Sequence, residues 1–284
     1  MYERITTFTP LGIRFWDSVL DRQVSDHLRV RVFPFNGARH VVNAFRTVSG
    51  IFAFQGLPGM REIENSDFDE IPADPPSGKK PFLIEVTDEL RRFLPVVFKV
   101  ELPLLYLGIY RYGSTAAERF YLFSAPIRTV SSGIAVIRAN LVDSTTRNPA
   151  AYAVIEVQLE GEGSTVSKWY GIADEKGSIA ILFPYPAIRV SLSDSPPSGP
   201  AVLLTNHQWP LTIQVRWAPQ TLEYPAQNGI PLWESISTQP SGKIRTHQSG
   251  ISVTSWPGML TYGQELLLKT DGADKAELWI DPAI

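Results

Sequence analysis

The chain has 284 residues, a formal net charge of −3 and no cysteine. The missing cysteine excludes disulfides, thiolate metal ligands and a cysteine nucleophile, and the small negative charge argues against nucleic acid as a partner. Charged residues make up only 19% of the chain, while 23 prolines and 20 glycines favour many short strands joined by turns. This length predicts two or three domains, and we expect three small β domains in a mainly β chain.

Residues 1–127 predict the first, β-rich domain. Before its first strand, Trp16–Leu28 has the apolar spacing of a short helix. Residues 62–80 are acidic, then proline-rich, then basic, which predicts a surface loop or arm. The strand candidates are rich in Val, Phe and Tyr and lie at Leu28–Phe35, His40–Phe54, Phe82–Val86, Pro95–Leu102 and Phe120–Ser124.

Residues 128–195 predict a compact β-sandwich at the centre of the chain. Alternate residues are apolar in its second strand, which predicts one buried and one polar face. Gly177 lies in the turn before the fourth strand, where a glycine adopts positive φ at low cost. The four strand candidates are Ile134–Asp143, Tyr152–Leu159, Lys168–Ala173 and Ser178–Phe183.

The order of strands and turns from Ile134 to Pro186 resembles the transthyretin-like, or carboxypeptidase-regulatory-like, β-sandwich domain. The resemblance depends on an Asp-Ser-x-Thr turn at Asp143, a Pro-Ala pair at Pro149 and an Ala-Asp-Glu-x-Gly turn that starts at Ala173. These features stand between the strands in the order typical of that family. The resemblance implies a small scaffold or adhesion fold without catalysis, because the family is named after an accessory domain of an enzyme.

Residues 196–284 predict a third, Trp-rich region of β or extended structure. Its strand candidates are Leu211–Trp217, Gly250–Thr254, Glu265–Thr270 and Ala276–Ile280. Five of the seven tryptophans follow residue 200, and as a group they favour a protein interface over a sugar-stacking platform. Core filling is the slightly preferred interpretation for any single Trp. The candidate interface residues are Phe183, Tyr185, Trp209, Trp217, Trp233 and Trp256.

The sequence contains no motif that indicates catalysis, a cofactor or a metal site. None of the histidines has a carboxylate three residues later, as zinc-peptidase patterns require, and no Gly-x-Ser-x-Gly motif occurs. The carboxylates between residues 62 and 70 lack the spacing of a calcium loop, which favours a solvated acidic loop. We therefore expect a protein that is not an enzyme, with a hydrolase of unrecognised geometry as the least favoured alternative. The residues concerned are His27, His40, His207 and His247, and Glu62, Glu64, Asp67, Asp69 and Glu70.

The first residues show no apolar core of a secretory signal, so we expect synthesis in the cytoplasm. The longest apolar run, Leu102–Tyr110, is far shorter than the ~20 residues of a membrane-spanning helix. We expect any membrane association to be indirect and to occur through partner proteins.

A second resemblance bears on function. Four sequence segments with the character of extended strands begin at Arg91, Leu122, Pro149 and Gly171. In this order they resemble the transthyretin-like accessory proteins of phage-tail-like contractile injection systems. The resemblance covers Thr87–Pro186. It implies a non-enzymatic structural subunit, associated with the baseplate or the attachment end, which contacts other subunits in several copies. Such a protein is expected in an assembled particle that is membrane-associated or released by lysis.

The alternative is a stand-alone β-sandwich module that binds a carbohydrate or a peptide. For the structural subunit, Pro184 and Pro186 are expected to protect a sandwich edge from unwanted strand addition. We further expect residues 62–80 and Trp209–Ile284 to be ordered mainly by contacts with other chains.

Overall fold

The structure, a computed structural model, describes residues 9–35, 40–65, 78–104, 108–111, 119–160, 166–186, 204–225 and 229–283. The chain is mainly β, and its strands form several small sheets, as the sequence predicts. The chain divides into two compact units. Unit 1 comprises Met1–Phe123 and Glu223–Ser235, and unit 2 comprises Ser124–Leu222 and Ile236–Ile284.

The described residues of unit 1 include three small sheets and a short helix, α1 (Arg61–Glu64). The sheets have the strand orders β1-β7-β6, β10-β2-β3 and β5-β4-β8-β9. Strands β2 and β10 are parallel neighbours, while the other pairs are antiparallel. The elements are β1 (Leu11–Ile13), β2 (Phe15–Asp17), β3 (Arg22–Val24), β4 (Leu28–Pro34), β5 (Val42–Asn43), β6 (Phe45–Arg46), β7 (Phe52–Phe54), α1 (Arg61–Glu64), β8 (Lys80–Asp88), β9 (Val96–Leu102) and β10 (Phe120–Leu122).

The β4-β8-β9 sheet is apolar on both faces. Val32, Ile84 and Phe98 form one cross-strand row on the face that lines the main core of unit 1. Their neighbours Phe33 and Leu83 point to the opposite face, because successive side chains of a strand alternate between faces. Phe98 also stacks on Phe120 of β10, with ring centroids 4.3 Å apart. A second apolar layer is therefore needed to cover the opposite face.

That layer includes Leu232, which follows most of unit 2 in the sequence. We call Glu223–Ser235 the returning segment. Leu232 packs with Phe33, Leu83 and Val97 and forms a parallel β-bridge with Val97 at the edge of β9. The ring of the next residue, Trp233, lies 4.9 Å from that of Phe123. The core of unit 1 is thus completed by residues from the last quarter of the chain.

Unit 2 is a β-sandwich. One sheet has the strand order β14-β11-β20-β16-β17, with β19 also paired to β11, and the other has the order β13-β12-β15-β18. A short helix, α2 (Trp233–Ser237), begins in the returning segment and ends in unit 2. The strands are β11 (Ile134–Asp143), β12 (Val154–Glu160), β13 (Val166–Ile172), β14 (Ser178–Pro184), β15 (Gln208–Arg216), β16 (Lys243–Arg245), β17 (Ser252–Val253), β18 (Ser255–Thr261), β19 (Leu266–Leu267) and β20 (Leu278–Asp281).

The two sheets of unit 2 enclose one apolar core. A row of side chains crosses the second sheet in register, from Trp169 through Val157 and Ile213 to Trp256. Val157 and Ile213 are fully buried, and the two tryptophans cover the ends of the row at the edge strands. The alternation predicted for the second strand of the sandwich is confirmed, because Ile155, Val157 and Leu159 all lie in this core.

The structure corrects the predicted division into residues 1–127, 128–195 and 196–284. The third of these regions is not separate, because β15 and β18 extend the sheet of β12, and β20 pairs with β11. Four strands alone would leave the inward faces of β11 and β12 exposed, and the later strands bury them. The expectation that Trp209–Ile284 is ordered mainly by other chains is therefore wrong, since its strands pair within this chain.

One local prediction is corrected, and one strand is not predicted from the sequence. Trp16–Leu28 is not helical, because Phe15–Asp17 and Arg22–Val24 form an antiparallel hairpin. β18 was not predicted because its Pro257 and Gly258 are unfavourable in strands, but an edge strand tolerates a residue without an N–H. Among the described residues, no helix is long and apolar enough to cross a membrane.

Candidate functional site

Four aromatic side chains gather at one end of the sandwich of unit 2. Tyr185 follows the last residue of β14, His207 and Trp209 stand at the start of β15, and Tyr262 follows the last residue of β18. We call these four residues the aromatic end cluster. Each of the four stands an even number of positions from an inward-facing residue of its strand. Because alternate residues of a strand share a face, the four side chains point inward, just beyond the aliphatic core.

The rings of this cluster form one connected group. The Tyr185 ring lies 4.7 Å from that of Tyr262 and 5.7 Å from that of Trp209. The His207 ring stacks on Trp209 at 6.2 Å, with 28° between the ring planes. All four residues are half-buried, so the cluster is not sealed inside the core of the sandwich.

Backbone hydrogen bonds fix the cluster in place. The hydroxyl of Tyr185 accepts the N–H of Gly263 at 2.9 Å. The N–H of Tyr262 donates to the carbonyl oxygen of His207 at 3.0 Å. These bonds tie the turn after β18 to β14 and to the start of β15, so the rings form a preorganised surface.

The six predicted interface residues are therefore only partly brought together. Tyr185 and Trp209 meet in the aromatic end cluster, whereas Phe183 and Trp217 are buried in the core of unit 2. The prediction assigned Phe183 and Trp217 to an interface, but both point inward between the sheets and offer no surface. Trp256 covers the edge of the same core.

Trp233 lies in unit 1 and takes no part in the cluster. Its ring contacts Phe120 and Phe123, which places it within the contact that holds the returning segment. Alternation puts His207 and Trp209 on one face of their strand, but no local pattern in the sequence places them against Tyr185 or Tyr262. No local pattern in the sequence predicts that the returning segment packs on unit 1.

The outer face of the β13-β12-β15-β18 sheet carries a network of polar side chains. Lys168 Nζ lies 2.8 Å from Glu156 Oε1, and Gln158 donates to the same oxygen at 2.7 Å. Burial alone would raise the pKa of Glu156, but the hydrogen bonds and charge of its neighbours hold that pKa below its ordinary value. Arg216 lies over the ring of Tyr170 at 5.7 Å. Within this network, the charge of Lys168 is balanced by that of Glu156.

The predicted acidic loop is described only at its ends. Glu64 is buried and its Oε1 accepts the N–H groups of Gly56 and Leu57 at 2.8 and 3.2 Å, so this carboxylate holds a turn together. Asp67, Asp69 and Glu70 lie outside the described residues. Over the part of the chain that is described, no three His, Asp or Glu side chains form a group that could hold a metal ion.

Comparison with known proteins adds little. No family model matches the chain, and no curated protein matches it. Among solved structures it is similar, over 98% of its length, to 98% of a mutant of the shaft pilin SpaA from Lactobacillus rhamnosus GG, with 9% identity and a TM-score of 0.23. It is also similar, over 90% of its length, to 44% of the Bacillus anthracis TIE protein, with 12% identity and a TM-score of 0.23. Similarity at this level establishes neither a family nor a function.

Proposed function

We propose that the chain is a non-enzymatic structural subunit of a phage-tail-like contractile injection system, at its baseplate or attachment end. The resemblance of the sequence segments between Thr87 and Pro186 supports the assignment to this type of particle. The path of the chain between its two units supports a structural role. The same proposal includes the assignment of β11–β14 to a transthyretin-like sandwich, which is supported by the order of these strands and their turns. The subunit is made in the cytoplasm and contacts other subunits in several copies.

The returning segment is the observation that carries a structural role. Leu232 fills the apolar layer over Phe33 and Leu83, and the carboxylate of Glu234 accepts the N–H of Lys99 at 3.0 Å. The core of unit 1 is therefore complete only when the polypeptide that builds unit 2 is attached to it. This arrangement suits a component that must keep its fold under the mechanical load of sheath contraction.

Protected strand edges also favour an ordered assembly. The returning segment occupies the edge of β9 through the bridge between Val97 and Leu232. In unit 2, β14 is an edge strand that ends at Pro184, and Pro186 follows closely. Covered edges and prolines prevent unwanted strand pairing, which is a particular hazard where many copies of one chain are packed together.

Mass spectrometry of purified, intact particles tests the proposal. The chain should be present in a fixed ratio to the sheath and tube proteins, and a tag on it should appear at one end of the particle in electron micrographs. The Leu232→Asp variant should be lost from the particles because it disrupts the completed core of unit 1, whereas Leu232→Met should be retained. Particles rich in sheath and tube proteins but free of this chain would contradict the proposal.

A further inference from the structure

We propose that the aromatic end cluster of unit 2 binds a neutral oligosaccharide. The ring of Trp209 connects Tyr185, Tyr262 and His207 into one surface, with neighbouring centroids between 4.7 and 6.5 Å apart. Aromatic rings that are only half-buried, as these are, can stack on the apolar C–H face of a sugar ring. This site goes beyond the proposed structural role and does not depend on it.

The degree of burial distinguishes this cluster from core packing. Trp217 directly follows β15, and Phe183 lies in β14. Only 4% of Trp217 is exposed, and Phe183 is fully buried. Tyr185 and Trp209 occupy equivalent inward positions on the same two chain segments and remain half-buried. The sandwich therefore closes its core around Phe183 and Trp217 but leaves the rings at the end of β14 and the start of β15 open.

The polar residues that flank the rings are uncharged and suit sugar hydroxyl groups. Thr205 and Asn206 precede His207, and Gln264 follows the Gly263 turn that binds Tyr185; all three are exposed. Hydroxyl and amide groups both donate and accept hydrogen bonds, as sugar hydroxyls do. The nearest carboxylate in sequence, Glu265, is already paired with Arg138 at 3.1 Å.

This composition favours a neutral sugar over other ligands. Nucleic acid requires cationic side chains to neutralise phosphates, and Thr205, Asn206 and Gln264 carry no charge. Protein interfaces are enriched in Arg beside their aromatic residues, and none of these three described residues is an Arg. The hydrogen bonds from Gly263 and Tyr262 also hold the rings in place before a ligand arrives, which lowers the entropy lost on binding.

Isothermal titration of the full chain with neutral oligosaccharides tests the site. The panel consists of cello-, chito-, malto-, xylo- and mannohexaose, and we expect measurable binding of at least one of them. Trp209→Ala should weaken that binding by roughly tenfold or more, because a central aromatic anchor is lost. Gln264→Ala, a change at an exposed turn that leaves the core intact, should weaken it by about threefold to tenfold.

Tyr170→Ala is the matched control, because Tyr170 is an exposed tyrosine on the outer face of the same unit and its loss should leave binding unchanged. The site is refuted if no member of the panel binds, or if binding persists in both Trp209→Ala and Gln264→Ala. Loss of these two variants from particles, without sugar binding by the unaltered chain, would refute it as well and would identify a subunit interface instead. Normal entry of Trp209→Ala into particles, together with lost sugar binding, is the expected result and separates this site from the structural role.

Discussion

The carboxylate of Glu234 accepts the backbone N–H of Lys99 at 3.0 Å, although 135 positions of sequence separate the two residues. Burial raises the pKa of Glu234 above its ordinary value of 4.5, and this effect outweighs the hydrogen bonds and the positive charge of Lys99. The negative charge of Glu223 acts in the same direction as burial. The folded chain therefore holds a proton on Glu234 more tightly than the unfolded chain does.

The first prediction concerns the pH dependence of this contact. Folding raises the pKa of Glu234. The stability contributed by protonated Glu234 is therefore fully present below the pKa of the unfolded chain, and it is lost as the pH rises through the pKa of the folded chain. Glu234→Gln keeps an acceptor for Lys99 without the charge, so it should be more stable than the unaltered chain at about pH 7. The difference should vanish towards about pH 4. Hydrogen exchange of the Lys99 amide measures it, and Glu175→Gln, at an exposed turn, should show no such trend.

The second prediction has the opposite sign and concerns Glu156. Its pKa is lowered despite burial, because Lys168 and Gln158 bind its carboxylate. The resulting stability is present above the unfolded pKa and is lost as the pH falls through the folded pKa. Glu156→Gln should therefore be less stable than the unaltered chain at about pH 7, with a difference that shrinks below about pH 4. Urea unfolding at several pH values measures the difference in stability between the two chains. If Glu156→Gln has the same effect when Lys168→Met is also present, the prediction is contradicted.

The third prediction tests the core of the sandwich. Phe183 is fully buried, and its ring stacks on that of Trp169 from the opposite sheet, with centroids 4.1 Å apart. Phe183→Ala should lower the free energy of unfolding of unit 2 by about 3 to 5 kcal/mol. Tyr170→Ala, on the outer face, should change it by no more than about 0.5 kcal/mol. Urea unfolding followed by circular dichroism compares the two variants, and equal effects would mean that Phe183 does not face the core.

The fourth prediction tests the turn before β14. Gly177 has a φ of +77°, and an added Cβ would lie 2.3 Å from the carbonyl oxygen of Leu141. Gly56 has a similar φ of +74° but meets nothing within 4 Å. Gly56→Ala should lower the free energy of unfolding by about 1 to 2 kcal/mol, because alanine is strained in the left-handed conformation. Gly177→Ala should lower it clearly more, because the added Cβ also clashes with Leu141. Thermal unfolding of both variants provides the comparison, and equal losses would exclude a steric contribution from Leu141.

The fifth prediction uses the returning segment as a non-covalent link. When residues 1–123 and 124–284 are expressed as two separate chains, we expect them to co-purify, because Leu232 and Trp233 of the second chain complete the core of the first. A second chain that carries Leu232→Asp and Trp233→Ala should not retain the first. Affinity purification through a tag on one fragment tests this. Separation of the unaltered fragments would show that the segment contributes too little to hold them.

Local patterns in the sequence predicted most individual strands. The β11–β14 strands lie where alternation and turn residues place them, and Gly177 adopts the expected positive φ. The apolar spacing of Trp16, Val19, Leu20 and Val24 predicts a helix where the chain forms a hairpin. The side chain of Asp17 accepts the N–H groups of Val19 and Leu20 and closes the turn between the two strands.

Long-range pairing could not be predicted in the same way. The parallel alignment of Phe120 with Phe15 and the bridge from Leu232 to Val97 join strands that are far apart in sequence, and periodicity carries no information about such partners. The same limit applies to the candidate site. Residue type alone indicates Tyr185 and Trp209, but only the fold shows that Tyr262 and His207 join them and that Phe183 and Trp217 do not.

The returning segment also determines the order in which the protein can mature during synthesis. Phe98, Phe120 and Phe123 leave the ribosome long before Trp233, so the N-terminal unit must wait for residues made more than a hundred positions later. Until then, Phe33 and Leu83 on the outer face of its four-stranded sheet are exposed to solvent. Nascent chains stalled before residue 229 should therefore recruit chaperones that recognise apolar sheet surfaces, and release should coincide with the appearance of the second unit.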